Sequence, residues 1–203
     1  MPYLNILNKI PNEVAIALSG GVDSMVCLDF LLKGNRNVTA MHFNHGTELS
    51  NIYEDFVRNK CYELGVELKV SRIDSSVPKR RSKEDFWREK RYEFLNKCLD
   101  RPVITCHHLD DAVETWIFSS LKGCPKIIPY SRGNYLRPLL LNTKDRIIEW
   151  ATQNNVEYIQ DSTNLQSNYD RNYIRNKMMN HVYHINPGIQ KMIKKKIIKK
   201  YKI

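Results

Sequence analysis

No two cysteines in this 203-residue chain stand in the C-x-x-C spacing, and their number, five, is odd. That excludes a disulfide framework or a zinc ribbon as the organising principle. Cys27, Cys61, Cys98, Cys106 and Cys124 read instead as reduced thiols, most of them small core residues. No apolar run approaches the roughly 18 residues of a membrane span. The opening Met1-Pro2-Tyr3-Leu4-Asn5 has neither the basic segment nor the apolar core of a secretory signal. A cytoplasmic protein with no membrane partner is therefore expected. Glycine is scarce, eight in all, yet Gly20 and Gly21 are adjacent. No lysine follows them in the turn, which excludes the G-x-x-x-x-G-K-[ST] loop that grips a γ-phosphate.

Basic residues are in excess: 32 Lys and Arg against 22 Asp and Glu give a formal charge of +10. Such a balance points to a polyanionic partner. The chain is also rich in Lys, Asn and Ile throughout, so charge alone leaves a purely compositional origin open. The length fits one domain, or one domain with a small appendage.

The most informative segment is Ser19-Gly20-Gly21-Val22-Asp23-Ser24. It follows the apolar run Val14–Leu18 and precedes an apolar helical pattern that begins at Ser24 and ends at Gly34. A strand, a glycine turn and a helix start make an anion site, because the first helical amides lack internal partners and the peptide dipoles favour negative charge there. An ordinary strand-to-helix turn, with Asp23 or Ser24 as helix cap, is the plainer reading.

Further along, strand patterns at Asn37–Phe43, Glu67–Ile73, Pro102–Cys106 and Tyr135–Leu136 alternate with helical ones at Ser50–Leu64, Lys83–Leu99 and Leu109–Lys122. Ile52, Phe56, Cys61 and Leu64 are expected on one face of the second helix. The alternation predicts an α/β fold, a Rossmann-like parallel sheet with helices on both faces. Its ligand belongs at the carboxyl ends of the strands. From Thr143 the pattern is helical only: Thr143–Asn154, Asn172 to about His181, and Ile189–Tyr201, where seven lysines between 191 and 202 surround an apolar stripe. The expected organisation is a core over 1–140, a helical extension over 141–187 and a basic amphipathic helix over 188–203.

Other motifs fall after strands or in the helical tail. His107-His108-Leu109-Asp110-Asp111-Ala112-Val113-Glu114-Thr115 opens a helix with two imidazoles and three carboxylates. Asp111 and Glu114 share a face, and clustered carboxylates bind Mg²⁺ or a cationic amine; favourable dipole placement explains the aspartates equally well. Arg88 and Arg91 lie one turn apart before Tyr92, and Arg171 and Arg175 are an i, i+4 pair suited to phosphate.

Together the segments Ser19–Ser24, His42-x-Asn44-His45-Gly46, Arg88-x-x-Arg91-Tyr92, His107-His108-x-Asp110-Asp111-x-x-Glu114-Thr115, Arg137-Pro138-Leu139-Leu140, Asp161-x-x-Asn164 and Arg171-Asn172-x-Ile174-Arg175 resemble the catalytic domain of the tRNA(Ile)-lysidine synthetases, within the PP-loop ATP pyrophosphatases. The resemblance runs from about Val14 to Pro187. It implies a ligase that binds ATP and Mg²⁺, adenylates the wobble cytidine of an isoleucine tRNA with a CAU anticodon, and lets free L-lysine displace AMP. It places Ser19, Gly20, Gly21, Val22, Asp23, Ser24, His42 and Asn44 around ATP, and Asp23, Asp110 and Asp111 around the metal. Asp23, Arg88, His108, Asp111 and Glu114 are the expected catalytic residues. Arg88, Arg91, His107, Asp111, Glu114, Arg171 and Arg175 are expected to meet lysine or tRNA, and a homodimer is the expected assembly.

The chain departs from the family pattern in three places. Thr47-Glu48 stands where Leu-Arg is usual, and Lys122-Gly123-Cys124-Pro125 replaces an Arg-Gly-rich loop. Longer members carry further C-terminal domains, for which the lysine-rich last helix is expected to compensate electrostatically, so that deleting 191–203 would weaken RNA binding. Two rival readings are a 2-thiocytidine synthetase, with Cys106 as the thiol to test, and a non-catalytic tRNA-binding module.

Overall fold

The computed structural model describes residues 3–73, 77–78, 82–98, 100–160 and 170–201; for Asp170 and Arg171 only the backbone is described. The segment containing Asp161 and Asn164 therefore lies outside the described residues, as does the side chain of Arg171. The elements run β1 (Glu13–Ala17), α1 (Val22–Lys33), β2 (Asn37–Asn44), α2 (Glu48–Glu63), β3 (Glu67–Arg72), α3 (Lys83–Leu95), β4 (Val103–Ile104) and α4 (Leu109–Leu121). There follow β5 (Ser131–Arg132), β6 (Tyr135–Leu136), a 3₁₀ turn (Pro138–Leu141), α5 (Lys144–Gln153), α6 (Asp170–Tyr173), a π-helical segment (Ile174–Met178), α7 (Met179–Ile185) and α8 (Ile189–Tyr201).

The sheet has the order β3-β2-β1-β4-β6-β5. All neighbours are parallel except the β5–β6 hairpin. Two-residue alternation along β1 explains why both faces are covered. Val14 and Ile16 point into a layer shared with α1, α2 and α5, while Ala15 faces Met41, Phe94 and Leu95 on the α3 side. A third cluster joins α4 to α8 through Val113, Ile117, Ile189, Ile193 and Ile197. The chain turns left from β1 to β2 but right from β4 to β6, so the crevice between the ends of β1 and β4 is the switch point where ligands bind in such sheets.

The parallel core agrees with the sequence reading, but several elements differ in detail. Residues Ser131 and Arg132 form an unexpected strand, closed onto β6 by the two-residue turn Gly133-Asn134 with Gly133 at φ +55°. The buried stripe of α2 is Ser50, Glu54, Val57 and Cys61; Ile52 and Leu64 are exposed. Polar Ser50 and Glu54 displace apolar neighbours because Thr47 satisfies the Ser50 hydroxyl and Asn44 and Arg58 satisfy the Glu54 carboxylate. The third helix stops at Leu95, where Asn96 caps it. The last helix buries Ile189, Ile193 and Ile197, so removing it would open the core; a deletion no longer separates its electrostatic role from its packing.

Candidate active site

The turn after β1 is shaped for close approach. Gly20 has φ +88°, and a β-carbon there would sit 3.3 Å from Val57 Cγ2 and 3.4 Å from Phe56 Cδ1. Helix α1 starts at Val22, two residues earlier than its apolar pattern suggests, with Gly21 at the N-cap and no side chain capping its amides. Asp23 and Ser24 consequently lie inside the first turn and do not cap it. The Ser24 hydroxyl donates to the Gly21 carbonyl at 2.9 Å and accepts the Ser19 amide at 3.2 Å, which fixes the turn from within.

This turn opens onto a cavity of about 840 Å³, to which Asp23, His42, His107, Asp111 and Arg175 all contribute. Lys144, the first residue of α5, holds both Asp23 oxygens at 2.7 and 2.8 Å. Asp111 Oδ2 accepts the His108 amide at 3.0 Å, and its Oδ1 meets Arg175 Nη2 at 3.0 Å. Burial works against the Asp111 charge, but His108, His107 and Arg175 outweigh it and keep this carboxyl below the usual range. Arg175 also grips both oxygens of the buried Glu114, at 2.7 and 2.8 Å. It projects from the π-helical segment, the sort of irregular turn that often presents functional groups.

The imidazoles divide into two kinds. His108 is buried among Asp110 (3.4 Å), Asp111 (3.6 Å) and Asp23 (3.9 Å). Burial opposes its charge, yet the three carboxylates raise its pKa. His107 and His45 are driven down to about 4, chiefly by burial and further by nearby arginines, so both are neutral at pH 7. His42 Nδ1 donates to the Leu18 carbonyl at 2.8 Å, leaving Nε2 as a buried lone pair with no partner among the described residues. Burial lowers the His42 pKa as well. The lowered pKa of His45 and His107 has a consequence for stability. Between pH 6.5 and 4 the unfolded chain binds a proton on each of these rings that the folded chain refuses, so stability falls as pH falls. The slope is about 1.4 kcal/mol per pH unit for each ring. His108, protonated in both states over this window, adds nothing to it. Urea midpoints between pH 4 and 7 should show this slope, and His45→Gln should remove one ring's share of it.

The opposite wall comes from α3. Glu84, Trp87, Arg88, Arg91 and Leu95 repeat at helical spacing and all face the cavity. Arg88 rests against Tyr92, with its guanidinium 4.9 Å from the ring centre. Burial lowers the Arg91 pKa. Among the described residues, neither arginine has a carboxylate within 4 Å. One wall is thus rich in balanced ion pairs and the other carries uncompensated positive charge.

The model of the PP-loop domain, an ATP-binding type, matches residues 3–182. The chain belongs to the PP-loop family. Among curated relatives, the tRNA(Ile)-lysidine synthase of Bacteroides thetaiotaomicron is 32% identical over 192 residues, 88% of this chain and 45% of that protein. The enzyme of the same name from Thermotoga maritima is 30% identical over 194 residues, 88% and 47% of the two chains. The chain therefore spans about half the length of the curated relatives it matches. The NH3-dependent NAD synthetase of Campylobacter jejuni superposes with a TM-score of 0.52 at 17% identity, covering 95% of this chain and 86% of that one, which is a likeness of fold.

The PP-loop cavity is lined by most residues expected from the sequence; Gly20 and Val22 build the turn without lining it, the side chain of Arg171 lies outside the described residues, and four others stand elsewhere. Asp110, expected to bind metal, has its carboxylate filled by the Lys144 amide (2.8 Å), Tyr183 (3.0 Å) and Gln190 (2.6 Å) and does not line the cavity. Asn44, expected at ATP, donates to Glu54 at 2.7 Å and accepts the Gly46 amide at 2.7 Å, so it shapes the β2–α2 turn. Glu114, expected to meet lysine or act in catalysis, is covered by Arg175 and anchors it. His108 lies behind the cavity wall, and positions Asp111 through its amide. Lys144, Trp87 and His45 were not among the expected site residues. Nothing local marks Lys144 beyond its place after the helix-capping Thr143; it enters only because α5 packs on α1.

Proposed function

We propose that this PP-loop chain forms lysidine: it adenylates the wobble cytidine of a CAU-anticodon isoleucine tRNA and joins L-lysine to it, releasing pyrophosphate and AMP. The observation that carries the reading is that one cavity unites the glycine turn, two ionised carboxylates and a neutral imidazole with a basic wall. The relatives' names supply the reaction class. In the first step the cytidine O2 bonds to the α-phosphorus of ATP as the bond to pyrophosphate breaks, and the α1 amides and Ser19 receive the departing charge. In the second, the lysine amine attacks C2, the bond to AMP breaks, and neutral His107 accepts the amine proton. Asp111 balances the amino acid's charge, and Arg175 holds Asp111 in place.

Asp23 and Asp111 both line the cavity and are the carboxylates that would hold Mg²⁺, the ion taking over negative charge that Lys144 and Arg175 now balance. Among the described residues no cluster of three His, Cys, Asp or Glu offers a fuller cage. When bound, the ion would neutralise developing phosphate charge.

Sulfur transfer is disfavoured. Cys106 faces the cavity, but its contact with Cys27 and its burial raise its pKa well above that of an ordinary thiol, which keeps it protonated and weakly nucleophilic. A decoy is disfavoured because the glycine turn and its carboxylates are intact. The test is incubation with unmodified CAU tRNA, ATP, Mg²⁺ and labelled lysine. Label in the tRNA with stoichiometric AMP supports the proposal; ATP left intact supports the decoy. No described helix is long and apolar enough to cross a membrane.

For the role of α8 in RNA binding, charge reversal replaces deletion. Lys195, Lys196, Lys199 and Lys200 are exposed on α8, Lys195 and Lys199 on the side away from the buried isoleucines and Lys196 and Lys200 at the edge of their stripe. Changing them to Glu should leave the circular dichroism unchanged. It should flatten the salt dependence of tRNA binding by about one unit of slope for each phosphate no longer neutralised. An unaltered slope would make α8 purely structural.

A further inference from the structure

Trp87 has no role in the chemistry above, yet it stands in the middle of the α3 wall, facing the cavity. Its ring lies 4.9 Å from that of His45, tilted by 36°, and Lys83 Nζ sits 4.6 Å from its centre. His45 in turn packs edge-on against Phe43 at 5.2 Å. The result is a continuous run of flat rings along the side of the cavity away from the ion pairs of Asp23 and Asp111. Among the described residues the His45 Nδ1, a buried atom, has no hydrogen-bond partner. Arg91 follows Trp87 by one helical turn, and Arg88 and Lys83 stand exposed beside it.

Each of these facts is odd for a merely structural wall. A partly exposed tryptophan facing a polar cavity forgoes burial that a core position would give it. A buried imidazole nitrogen without a partner is a standing cost that a ligand's hydrogen bond would remove. Arginines beside an aromatic ring, without carboxylate partners, suit a chain of phosphates running past a stacked base. A phosphate-only ligand would leave the rings unused, and free lysine, whose carboxylate could meet an arginine, would leave the Trp87 face unused.

We propose that Trp87 and His45 form a stacking subsite for the nucleobase of the RNA acceptor, with Arg88 and Arg91 holding the phosphates that flank it. The proposal rests on the lysidine reading above for the identity of the base, but not for the existence of the subsite. Stacking is tolerant of base identity, because every base has a π-face. The rings therefore hold the base, and discrimination falls to polar groups at its edge.

The experiment uses the full chain and two probes: a CAU anticodon stem-loop RNA, and a non-hydrolysable ATP analogue. RNA binding should quench tryptophan fluorescence. Trp87→Ala should abolish most of that quench and weaken RNA binding roughly 5- to 150-fold, the worth of one base on one aromatic ring. Trp87→Phe should recover most of the affinity, and the ATP analogue should bind all three proteins alike. A stem-loop with an abasic wobble position should bind the wild type as weakly as the intact RNA binds Trp87→Ala, with no further loss when both changes are combined. Unchanged RNA affinity in Trp87→Ala, or independent losses from the two changes, would overturn the subsite. Loss of ATP-analogue binding alone would reassign the rings to adenine and overturn it equally. If lysine fails to enter tRNA while Trp87→Ala still loses the RNA, the lysidine reading fails and the subsite stands.

Discussion

Replacing Asp23 by Asn should lower AMP formation about 10²- to 10³-fold, the effect of removing one preorganised electrostatic group from a transition state. The substitution keeps the shape of the side chain and removes its charge. That charge lies in the first turn of α1, directly behind the glycine turn, where negative charge moves onto pyrophosphate. Lys144 now holds it bidentately, and His108 lies 3.9 Å away. With Asn the lysine is left without its ion-pair partner, and the pair of carboxylates suited to Mg²⁺ is reduced to one. RNA affinity should change little, because the basic wall of α3 is on the other side of the cavity. Quantifying AMP and pyrophosphate against tRNA-dependent turnover checks this. A rate within threefold of wild type would place the phosphoryl chemistry elsewhere.

The second large effect is on stability as well as turnover. Arg175→Ala should cost about 2–4 kcal/mol. That is somewhat below the roughly 3–5 kcal/mol for breaking a fully buried ion pair, since the arginine side chain is 39% exposed while that of Glu114 is 5% exposed. In a domain of this size the loss corresponds to a fall in Tm of roughly 4–16 °C. The cause is the carboxylate left behind: Glu114 has both oxygens on Arg175 and sits within the α4 core. Arg175→Met combined with Glu114→Leu should regain most of the stability, because no buried charge then lacks a partner. Turnover should stay low, because Asp111 no longer has a cation at its Oδ1. Calorimetry and lysine incorporation on the same samples separate the two effects. Full activity in the double variant would show that Arg175 serves the fold alone.

The parallel core is legible in the sequence because its signals are local. Apolar runs mark β1 and β2, Gly34 marks the end of α1, and the glycine turn falls between strand and helix as its residue types require. The misreadings share a different cause. Hydrophobicity alone misplaces the buried stripe of α2, because Thr47 makes Ser50, and Asn44 and Arg58 make Glu54, acceptable inside. The β5–β6 hairpin is only two residues per strand, too short for alternation to show, although Gly133-Asn134 is a recognisable turn. Within the site, spacing shows that Asp110, Asp111 and Glu114 open one helix, but not which way each faces. That is decided by Lys144, Tyr183, Gln190 and Arg175, which arrive from 34 to 80 residues away. A motif identifies the chemistry available at a helix start; the packing of distant helices selects which groups meet the ligand.

Asp110 also sets an order of events. Two of its three hydrogen-bond donors, Tyr183 and Gln190, belong to α7 and α8, while the third is the first amide of α5. During synthesis the glycine turn, the strands and α4 emerge first, with this carboxylate still lacking those partners. Asp111 is held on the His108 amide within the first turn of α4, but Asp110, on which the His108 ring leans, keeps an unfilled carboxylate until α7 and α8 are translated and docked. A nascent chain that stalls before Gln190 would therefore display the glycine turn while Asp110 still lacks a donor that the finished fold supplies.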